Sequence, residues 1–270
     1  MSLPTKLAVI GFGTMGQAIC HGLVETGGLP PEQILAADRH LTALRSQAAA
    51  LGITLTDAAT AARTSQVVLL CVKPRELGEL LEGLQQAGAL DHQPLVISIA
   101  AGVGLAFLES HVPAGTPVVR AMPNTPCAVR CGMTVLSPGN AAQESHLAQA
   151  RRYFEPLGRV MELEEKHMDA VTGLSASGPA FIFVILEALA EGGVQCGLPR
   201  AVAIELASQM TLGAATMVLQ TGKHPAALKD EVTTPAGCTI AGLLALEDGR
   251  IRSVVARGIE RATQVAAGLG

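Results

Sequence analysis

Aromatic side chains are scarce in this chain of 270 residues, which has 2% of them, no tryptophan and a single tyrosine. A protein that stacks nucleic-acid bases needs such rings, and one that binds a phosphate backbone needs a surplus of lysine and arginine. The chain instead has 19 basic and 23 acidic residues, for a formal net charge of -4. We therefore expect no nucleic-acid partner.

Cysteine and histidine lack the spacing that metal sites require. Six cysteines occur, none in a C-x-x-C pair, and the two nearest are Cys127 and Cys131. The seven histidines show neither H-x-x-x-H nor H-E-x-x-H spacing. We therefore expect no metal site, and we interpret the cysteines as small buried hydrophobic side chains in a reducing compartment, the cytoplasm.

Long uninterrupted apolar runs are also missing. The first residues, "MSLPTKLAVIGFG", have one lysine and an apolar run that glycine interrupts at once, without the longer hydrophobic stretch of a signal peptide. The most lipid-like stretch, "PAFIFVILEALA", contains Glu187 and falls short of the ~20 apolar residues of a membrane span. We expect no membrane association, and we interpret this stretch as a helix buried between subunits or domains.

What the first half of the chain does contain is a series of short apolar runs that alternate with helical segments. The runs are "LAVIG", "ILAAD", "VVLLCV", "LVISIAAGV" and "PVVRAM". The helices between them are predicted to reach Glu25, Leu51, Ala87 and Leu108. This pattern is typical of β-α-β units with a parallel sheet buried on both faces, so it predicts a doubly wound, Rossmann-like α/β domain.

The second half lacks such strands. After a last short strand at "GRVMEL", Gly and Pro separate long helices, and "SASGP" at 175–179 is interpreted as a helix start capped by serine hydroxyls. We predict a dinucleotide-binding domain over residues 1–163 and an all-helical domain over residues 164–270. Because these helices are apolar on most faces, we expect those of about residues 170–220 to interlock two subunits in a dimer.

A glycine-rich turn follows the first strand and opens a helix. In "AVIGFGTMGQAI", Gly11 permits the tight turn, Gly13 lets a pyrophosphate approach the backbone, and Gly16 lets helix and strand pack closely. Such a turn is also a packing solution, but at the start of a β-α-β series it predicts dinucleotide binding at the helix N-terminus. We assign to the cofactor Gly11, Gly13, Thr14, Met15 and Gly16.

The end of the second strand gives conflicting indications of which dinucleotide binds. Asp38 follows Gly16 by about 22 residues, where an acid would bind a ribose 2′-hydroxyl and favour NADH. Arg39 beside it would hold a 2′-phosphate and favour NADPH, although an exposed surface charge explains it equally well. We assign both residues to the cofactor and expect NADPH, with NADH also accepted.

Two later strands end in polar residues at the sheet edge where open α/β sheets bind ligands. "VVLLCVKP" brings a lysine there, and "VVRAMPNTP" brings an asparagine held between two prolines. A solvated lysine and a turn asparagine with local hydrogen bonds are the simpler interpretations. We assign to the cofactor Val72, Lys73, Pro74, Met122 and Asn124.

Together, "GFGTMG", "CVKP", "RAMPNTP", "TGLSASGPAF" and "KHPAALKDEVTTPAGCTIAGL" resemble, in this order and over essentially the whole chain, the pyrroline-5-carboxylate reductase family. The resemblance implies a Rossmann-like domain and an all-α dimerisation and substrate-binding domain that interlocks with its twofold mate, with rings of dimers in some members. It implies reduction of the C=N bond of 1-pyrroline-5-carboxylate to proline, the last step of proline biosynthesis, by NADPH or NADH.

The resemblance places the substrate at the turn within "DEVTTPAGCTIAGL", residues 230–243. Its carboxylate is assigned to the amides of Gly237, Cys238 and Thr239, its ring nitrogen to the Thr239 hydroxyl, and Thr234 also lines the site. Thr239 and Lys73 are the expected catalytic residues. Because a cyclic imine arrives partly protonated, hydride transfer needs positioning more than a strong acid.

Four positions depart from the family pattern. Members usually have serine where this chain has Thr234, glycine where it has Ala236 and Ala176, and often an asparagine for the cofactor near Ala58. Ala236 matters most, because a side chain there resists a positive φ.

Two other functions fit parts of the pattern. A β-hydroxyacid dehydrogenase-like reductase shares the two-domain plan, but its catalytic lysine would be followed by an asparagine three or four residues later, and none of the five lysines here has that neighbour. A non-catalytic dinucleotide-sensing Rossmann protein has no need of a turn that can hold a carboxylate.

Overall fold

The computed structural model describes residues 6–269 of the protein. A mostly parallel sheet organises the first part of the chain. Its strands are β1 (Leu7–Ile10), β2 (Ile34–Ala37), β3 (Thr54–Leu55), β4 (Val67–Leu70), β5 (Leu95–Ser98), β6 (Val118–Met122), β7 (Gly132–Pro138) and β8 (Gly158–Glu162). They lie in the order β3-β2-β1-β4-β5-β6-β7-β8. The first six of these are parallel, as predicted for a doubly wound domain.

The helices of the first part alternate with these strands, and those of the second part follow one another directly. They are α1 (Thr14–Glu25), α2 (Leu41–Leu51), α3 (Ala58–Arg63), α4 (Pro74–Gln86), α5 (Leu105–Ser110), α6 (Glu144–Phe154), α7 (Met168–Val171), α8 (Gly178–Gln195), α9 (Arg200–Thr221), α10 (Pro225–Glu231), α11 (Cys238–Asp248) and α12 (Ile251–Ala266). The four predicted helix ends lie within about two residues of the observed ends of α1, α2, α4 and α5 and are confirmed to that precision, which is the usual uncertainty of helix ends.

The sheet is buried on both faces, which explains its continuous apolar strands. Along β1, Leu7 and Val9 belong to the core on one face, while Ala8 and Ile10 belong to the core on the other. Helix α1 contributes to the first core and helix α4 to the second. Each fully buried leucine adds ~1.5–3 kcal/mol, so neither face of these strands could be left in water.

Strand β7 differs from the expectation of a parallel sheet. It runs antiparallel to β6, whereas β8 is parallel to β7. Only a short 3₁₀ helix, Thr125–Val129, connects β6 to β7. A parallel strand needs a longer crossover connection, so the chain reverses direction here. Strand β3 and helices α3 and α6 were likewise not anticipated.

The chain divides into two compact units, one running to Ser177 and including the stretch from Arg261 onward, the other Gly178–Glu260. A domain boundary after residue 163 stays a prediction. Within the second unit α8 and α9 cross closely, because a Cβ at Gly193 would stand 3.0 Å from the Cβ of Ala203. This close approach explains a small residue in the last turn of an apolar helix.

The helices of the second unit expose large apolar side chains in the single chain. Phe183, Val184 and Leu219 are each more than three-fifths exposed. Two helical runs, Glu165–Gln195 and Arg200–Thr221, are long and apolar enough to cross a membrane by length and composition. The expectation that "PAFIFVILEALA" is too short for a span is therefore wrong as a statement of length, because the stretch lies inside a 31-residue helical run.

Candidate functional site

A cavity of about 600 Å³ opens at the carboxyl ends of β1, β2 and β4. This is the point at which strand order reverses, where open α/β sheets bind ligands. Its lining includes six of the predicted cofactor residues: Gly11, Gly13, Asp38, Arg39, Val72 and Lys73. Thr14 lines a neighbouring cleft, and Met15 packs partly buried against the core.

The three glycines of the first turn differ in how much space a side chain would have at each position. Gly11 has φ +98°, and a Cβ there would stand 2.6 Å from the carbonyl carbon of Cys71. A Cβ at Gly16 would stand 2.2 Å from the carbonyl oxygen of Gly11. A Cβ at Gly13 would meet no protein atom within 4 Å, although Gly13 lines the cavity. Packing therefore explains two glycines, whereas the third leaves room for a ligand.

The N-terminus of α1 faces this turn without a side-chain cap. Gly13 is the N-cap residue and supplies no side chain to accept from the first-turn amides. Such amides carry the positive end of the helix dipole and bind phosphate groups. The turn therefore fits the pyrophosphate of a dinucleotide, which its backbone amides would hold.

Asp38 is tied to the glycine-rich loop. One carboxylate oxygen accepts the Phe12 amide hydrogen at 2.9 Å, and the other accepts that of His40 at 2.9 Å. Asp38 thus fixes the loop around the cavity, a role that the sequence spacing did not indicate.

Arg39 reaches across the cavity wall to helix α4. Its Nη2 lies 2.7 Å from Oε1 of Glu76, which also lines the cavity. Glu76 lies two residues after Pro74, which was predicted to bind the cofactor. No sequence pattern indicated that Glu76 would pair with Arg39, which follows β2.

Asp57 and Ala58 also line the cavity and were not predicted to bind the cofactor. Asp57 caps α3 by accepting the Thr60 amide hydrogen at 2.8 Å. Hydrogen bonds from Thr60 hold the pKa of the Asp57 carboxyl below its ordinary value. An aspartate three residues before Thr60 and ahead of an alanine run is a recognisable N-cap signal that could have located this helix.

The two predicted residues at the end of β6 and just beyond it, Met122 and Asn124, are buried and partly buried, respectively. Met122 is buried beside Val135 and Met168, and it is not part of the cavity lining. The Asn124 amide oxygen accepts from the Met133 amide at 2.9 Å, and its Nδ2 donates to the Ser175 carbonyl at 3.2 Å. Asn124 therefore joins the sheet edge to the start of the long helical run.

Ser175 lies in a π-helical turn, Thr172–Ala176, that precedes α8. The amide of Ser177 donates to the carbonyl of Thr172 at 2.9 Å and closes this turn. Helix α8 then begins at Gly178, with Pro179 as its second residue, so the predicted helix start at "SASGP" is confirmed, whereas capping by the serine hydroxyls stays a prediction. Single π-helical turns are frequent at functional sites.

Arg120 is a buried charge that sequence reasoning missed. On β6 its side chain is 4% exposed, and it pairs with Glu165 at 3.4 Å and Asp169 at 3.2 Å. Glu165 also accepts the Leu105 amide hydrogen at 2.5 Å. A buried arginine requires such partners, so this cluster holds α5 and α7 against the sheet.

Cys71 lines the cavity and packs partly buried against the core that contains the buried Cys20. Burial raises the pKa of Cys20 to about 12. Burial, and then the neighbouring Cys20, raise that of Cys71 well above its ordinary value. Both thiols are therefore neutral at physiological pH and serve as apolar wall and core. The expectation of buried cysteines is confirmed for Cys20 and Cys127 but is wrong for Cys131, Cys196 and Cys238, which are exposed in the single chain.

The turn at residues 233–239 belongs to the second unit. Ala236 adopts φ +58°, so the positive φ persists despite the alanine. The Gly237 amide donates to the Thr234 carbonyl at 3.1 Å, and a Cβ at Gly237 would stand 2.4 Å from Thr234 Oγ1. Thr234 and Gly237 therefore shape the turn.

Helix α11 starts directly after this turn. Its N-cap is Gly237, with no side-chain cap, and Cys238 and Thr239 are its first two residues. Their amides lie in the first turn of α11, where backbone N–H groups have no acceptor within the helix. They are the donors available to an anion, since that of Gly237 is engaged inside the turn.

Comparison with known proteins agrees with these features. Residues 165–269 match the pyrroline-5-carboxylate reductase dimerisation family, and residues 6–102 match the family described as NADP oxidoreductase coenzyme F420-dependent. The pyrroline-5-carboxylate reductase of Methanosarcina acetivorans is 43% identical over 98% of both chains. The chain belongs to the pyrroline-5-carboxylate reductase family.

Solved structures of this family have the same fold. The pyrroline-5-carboxylate reductase of Coxiella burnetii superimposes with a TM-score of 0.90 at 32% identity, covering 99% of each chain. The Plasmodium falciparum pyrroline carboxylate reductase, whose structure has NADP bound, gives a TM-score of 0.88 at 27% identity over 100% of each chain.

Proposed function

We infer that this protein reduces 1-pyrroline-5-carboxylate to L-proline with a nicotinamide dinucleotide, the last step of proline biosynthesis. The observation that carries this inference is 43% identity to a pyrroline-5-carboxylate reductase over 98% of both chains. The cavity at the end of β1, with its uncapped helix N-terminus, supports dinucleotide binding independently of that identity.

The dinucleotide, when bound, supplies a hydride to the imine carbon. NADPH is the proposed cofactor, and NADH is also accepted. The first-turn amides of α1 hold the pyrophosphate, Asp38 keeps the glycine loop in place, and Arg39 binds the 2′-phosphate. Val72 and Lys73 line the same cavity, where the Lys73 ammonium attracts the phosphates of the cofactor. Lys73 is also the proposed second catalytic residue.

The substrate is a small anion with an electrophilic ring carbon. The amides of Cys238 and Thr239 hold its carboxylate at the N-terminus of α11. The Thr239 hydroxyl accepts the N–H of the protonated ring nitrogen, which orients the C=N bond. Addition of a hydride to the protonated imine gives the secondary amine of proline directly, so no further acid is needed. Orientation of this kind supplies ~7–11 kcal/mol of barrier reduction.

The proposed functional unit is a homodimer in the cytoplasm, which associates further into a ring of dimers, and neither a membrane nor nucleic acid is a partner. The support is the match of residues 165–269 to a dimerisation family and the exposed apolar side chains of α8 and α9. Pairing those faces removes them from water without lipid. Sedimentation at micromolar concentration tests this, and a monodisperse active monomer would contradict it.

Steady-state oxidation of NADPH in the presence of 1-pyrroline-5-carboxylate tests the activity, with proline identified chromatographically. Turnover of a β-hydroxy acid instead would favour the dehydrogenase-like alternative. Binding of NADPH without turnover of either substrate would favour a dinucleotide sensor.

A further inference from the structure

The Glu76 carboxylate lies between two guanidinium groups at the edge of the dinucleotide cavity. Its Oε1 is 2.7 Å from Nη2 of Arg39 and 3.8 Å from Nε of Arg75. The Glu76 side chain is 23% exposed, whereas that of Arg39 is 68% exposed. Glu76 is therefore the better buried member of an ion pair that lines the cavity.

Arg39 occupies the position that decides between the two dinucleotides. It follows β2, where a sheet of this strand order binds the adenosine ribose. A 2′-phosphate is a dianion that an arginine at this point can bind through two hydrogen bonds. In this chain the guanidinium already has a carboxylate partner, which carries the same sign of charge as the phosphate.

We propose that Glu76 tunes the choice between NADPH and NADH by competing with the 2′-phosphate for Arg39. NADPH must displace the carboxylate or bind beside it, at a cost in Coulomb energy. NADH has a neutral 2′-hydroxyl and leaves the ion pair intact. The inference rests on the proposed dinucleotide function, and it makes Glu76 a specificity-determining residue that lowers the preference for NADPH.

The other acidic residues of the cavity provide the comparison. Asp38 accepts two backbone amides, so its carboxylate is committed to the loop. Asp57 accepts the Thr60 amide hydrogen, so its carboxylate is committed to the N-cap of α3. Glu79 lines the same cavity from the next turn of α4, and it is exposed. Among residues 6–269 no ion pair of Glu79 with an arginine is seen. Glu79 therefore supplies equal charge without the contact to Arg39.

The test is direct titration of the full-length protein with NADPH and NADH, by calorimetry, for wild type, Glu76→Gln and Glu79→Gln. Each substitution removes one negative charge and keeps the side-chain shape. We expect Glu76→Gln to raise the ratio of the NADH Kd to the NADPH Kd about fivefold, the upper range for an exposed ion pair. The rise should shrink at high salt. Glu79→Gln should change the ratio much less.

A second pair of variants isolates the role of Arg39. In the Arg39→Ala background, Glu76→Gln should raise the ratio much less, because the Arg39 guanidinium is gone and only the longer 3.8 Å contact to Arg75 remains. An unchanged ratio in Glu76→Gln would overturn the inference, as would an equal rise in Glu79→Gln or an undiminished rise without Arg39. Failure of the wild type to bind either dinucleotide would overturn the proposed function itself, which these titrations report separately.

Discussion

The carboxylate of Asp38 accepts the amide hydrogen of Phe12 at 2.9 Å, so the acid at the end of β2 fixes the glycine-rich loop after β1. Asp38→Ala leaves this amide and that of His40 without their acceptors. Loss of the acceptor of the part-buried Phe12 amide costs about 1 kcal/mol and loosens the loop that would hold the cofactor, so we expect NADPH and NADH to bind about tenfold more weakly, and to similar extents. Calorimetric titration with both dinucleotides measures this. A loss confined to NADH would instead make Asp38 a ribose ligand.

Glycines 13 and 16 should respond differently to alanine. Gly13→Ala places its Cβ in open space on the cavity wall, so we expect NADPH to bind at least about tenfold more weakly with a stability loss below ~1 kcal/mol. Gly16→Ala drives its Cβ into the carbonyl oxygen of Gly11, so we expect ~1–3 kcal/mol of lost stability. Denaturant unfolding and NADPH titration of both variants separate the two effects. Equal stability losses would show that Gly13 also serves packing.

The parallel part of the fold could be predicted because its strands carry a strong local signal. Runs such as "VVLLCV" have no polar face, and only a sheet covered on both sides accommodates them. Strand β7 could not be placed in the same way, since its direction depends on the length of the connection from β6. Neither the strand propensity of the β7 residues nor their apolar pattern indicates whether the strand runs parallel or antiparallel to β6.

Some residues of the candidate site could be predicted from the sequence, whereas the contacts between distant elements could not. Gly11, Gly13 and Lys73 lie around one cavity because the carboxyl ends of parallel strands meet at one edge. The Arg39–Glu76 pair joins residues on two different elements, and Asn124 contacts Ser175 through folding of the distant helical run. Such contacts depend on side-chain reach in three dimensions, which no spacing along the chain encodes.

The N-cap of α3 gives a pH dependence with a defined sign. Hydrogen bonds from Thr60 place the Asp57 pKa below its ordinary value of 3.8, so the ionised form is favoured by folding. The associated stability is present above that ordinary value and is lost as the pH falls through the lower folded pKa. Asp57→Ala should cost ~1 kcal/mol at neutral pH, and the difference from wild type should shrink in acid. Thermal unfolding across that range measures it, with Asp57→Asn as the non-titrating control.

The left-handed conformation of Ala236 predicts a stabilising substitution. Because a Cβ resists φ +58°, Ala236→Gly should raise the free energy of unfolding by about 1 kcal/mol. Ala241→Gly, in the exposed part of helix α11, is the matched control and should lower it by about as much. Denaturant unfolding compares the two. A loss of stability in both variants would show that Ala236 bears no strain.

Thr239→Ala tests the proposed contact with the substrate. Thr239 is the second residue of α11, whose N-cap is Gly237, so the substitution removes no helix cap. A hydrogen bond to a charged partner is worth ~1.5–3 kcal/mol, so we expect kcat/KM to fall roughly ten- to hundredfold. Stability and NADPH affinity should stay close to those of the wild type. Steady-state kinetics, thermal unfolding and cofactor titration on the same preparation measure all three.

The hydroxyl and the backbone amides of the turn can be separated within the same experiment. Thr239→Ser keeps the hydroxyl and should retain most of the activity that Thr239→Ala loses. Inhibition by proline-like carboxylates should survive in Thr239→Ala, because the amides of Cys238 and Thr239 remain in place at the helix N-terminus. A less stable enzyme with wild-type kcat/KM would reduce Thr239 to a structural role. Loss of inhibition together with activity would assign the carboxylate to the hydroxyl rather than to the amides.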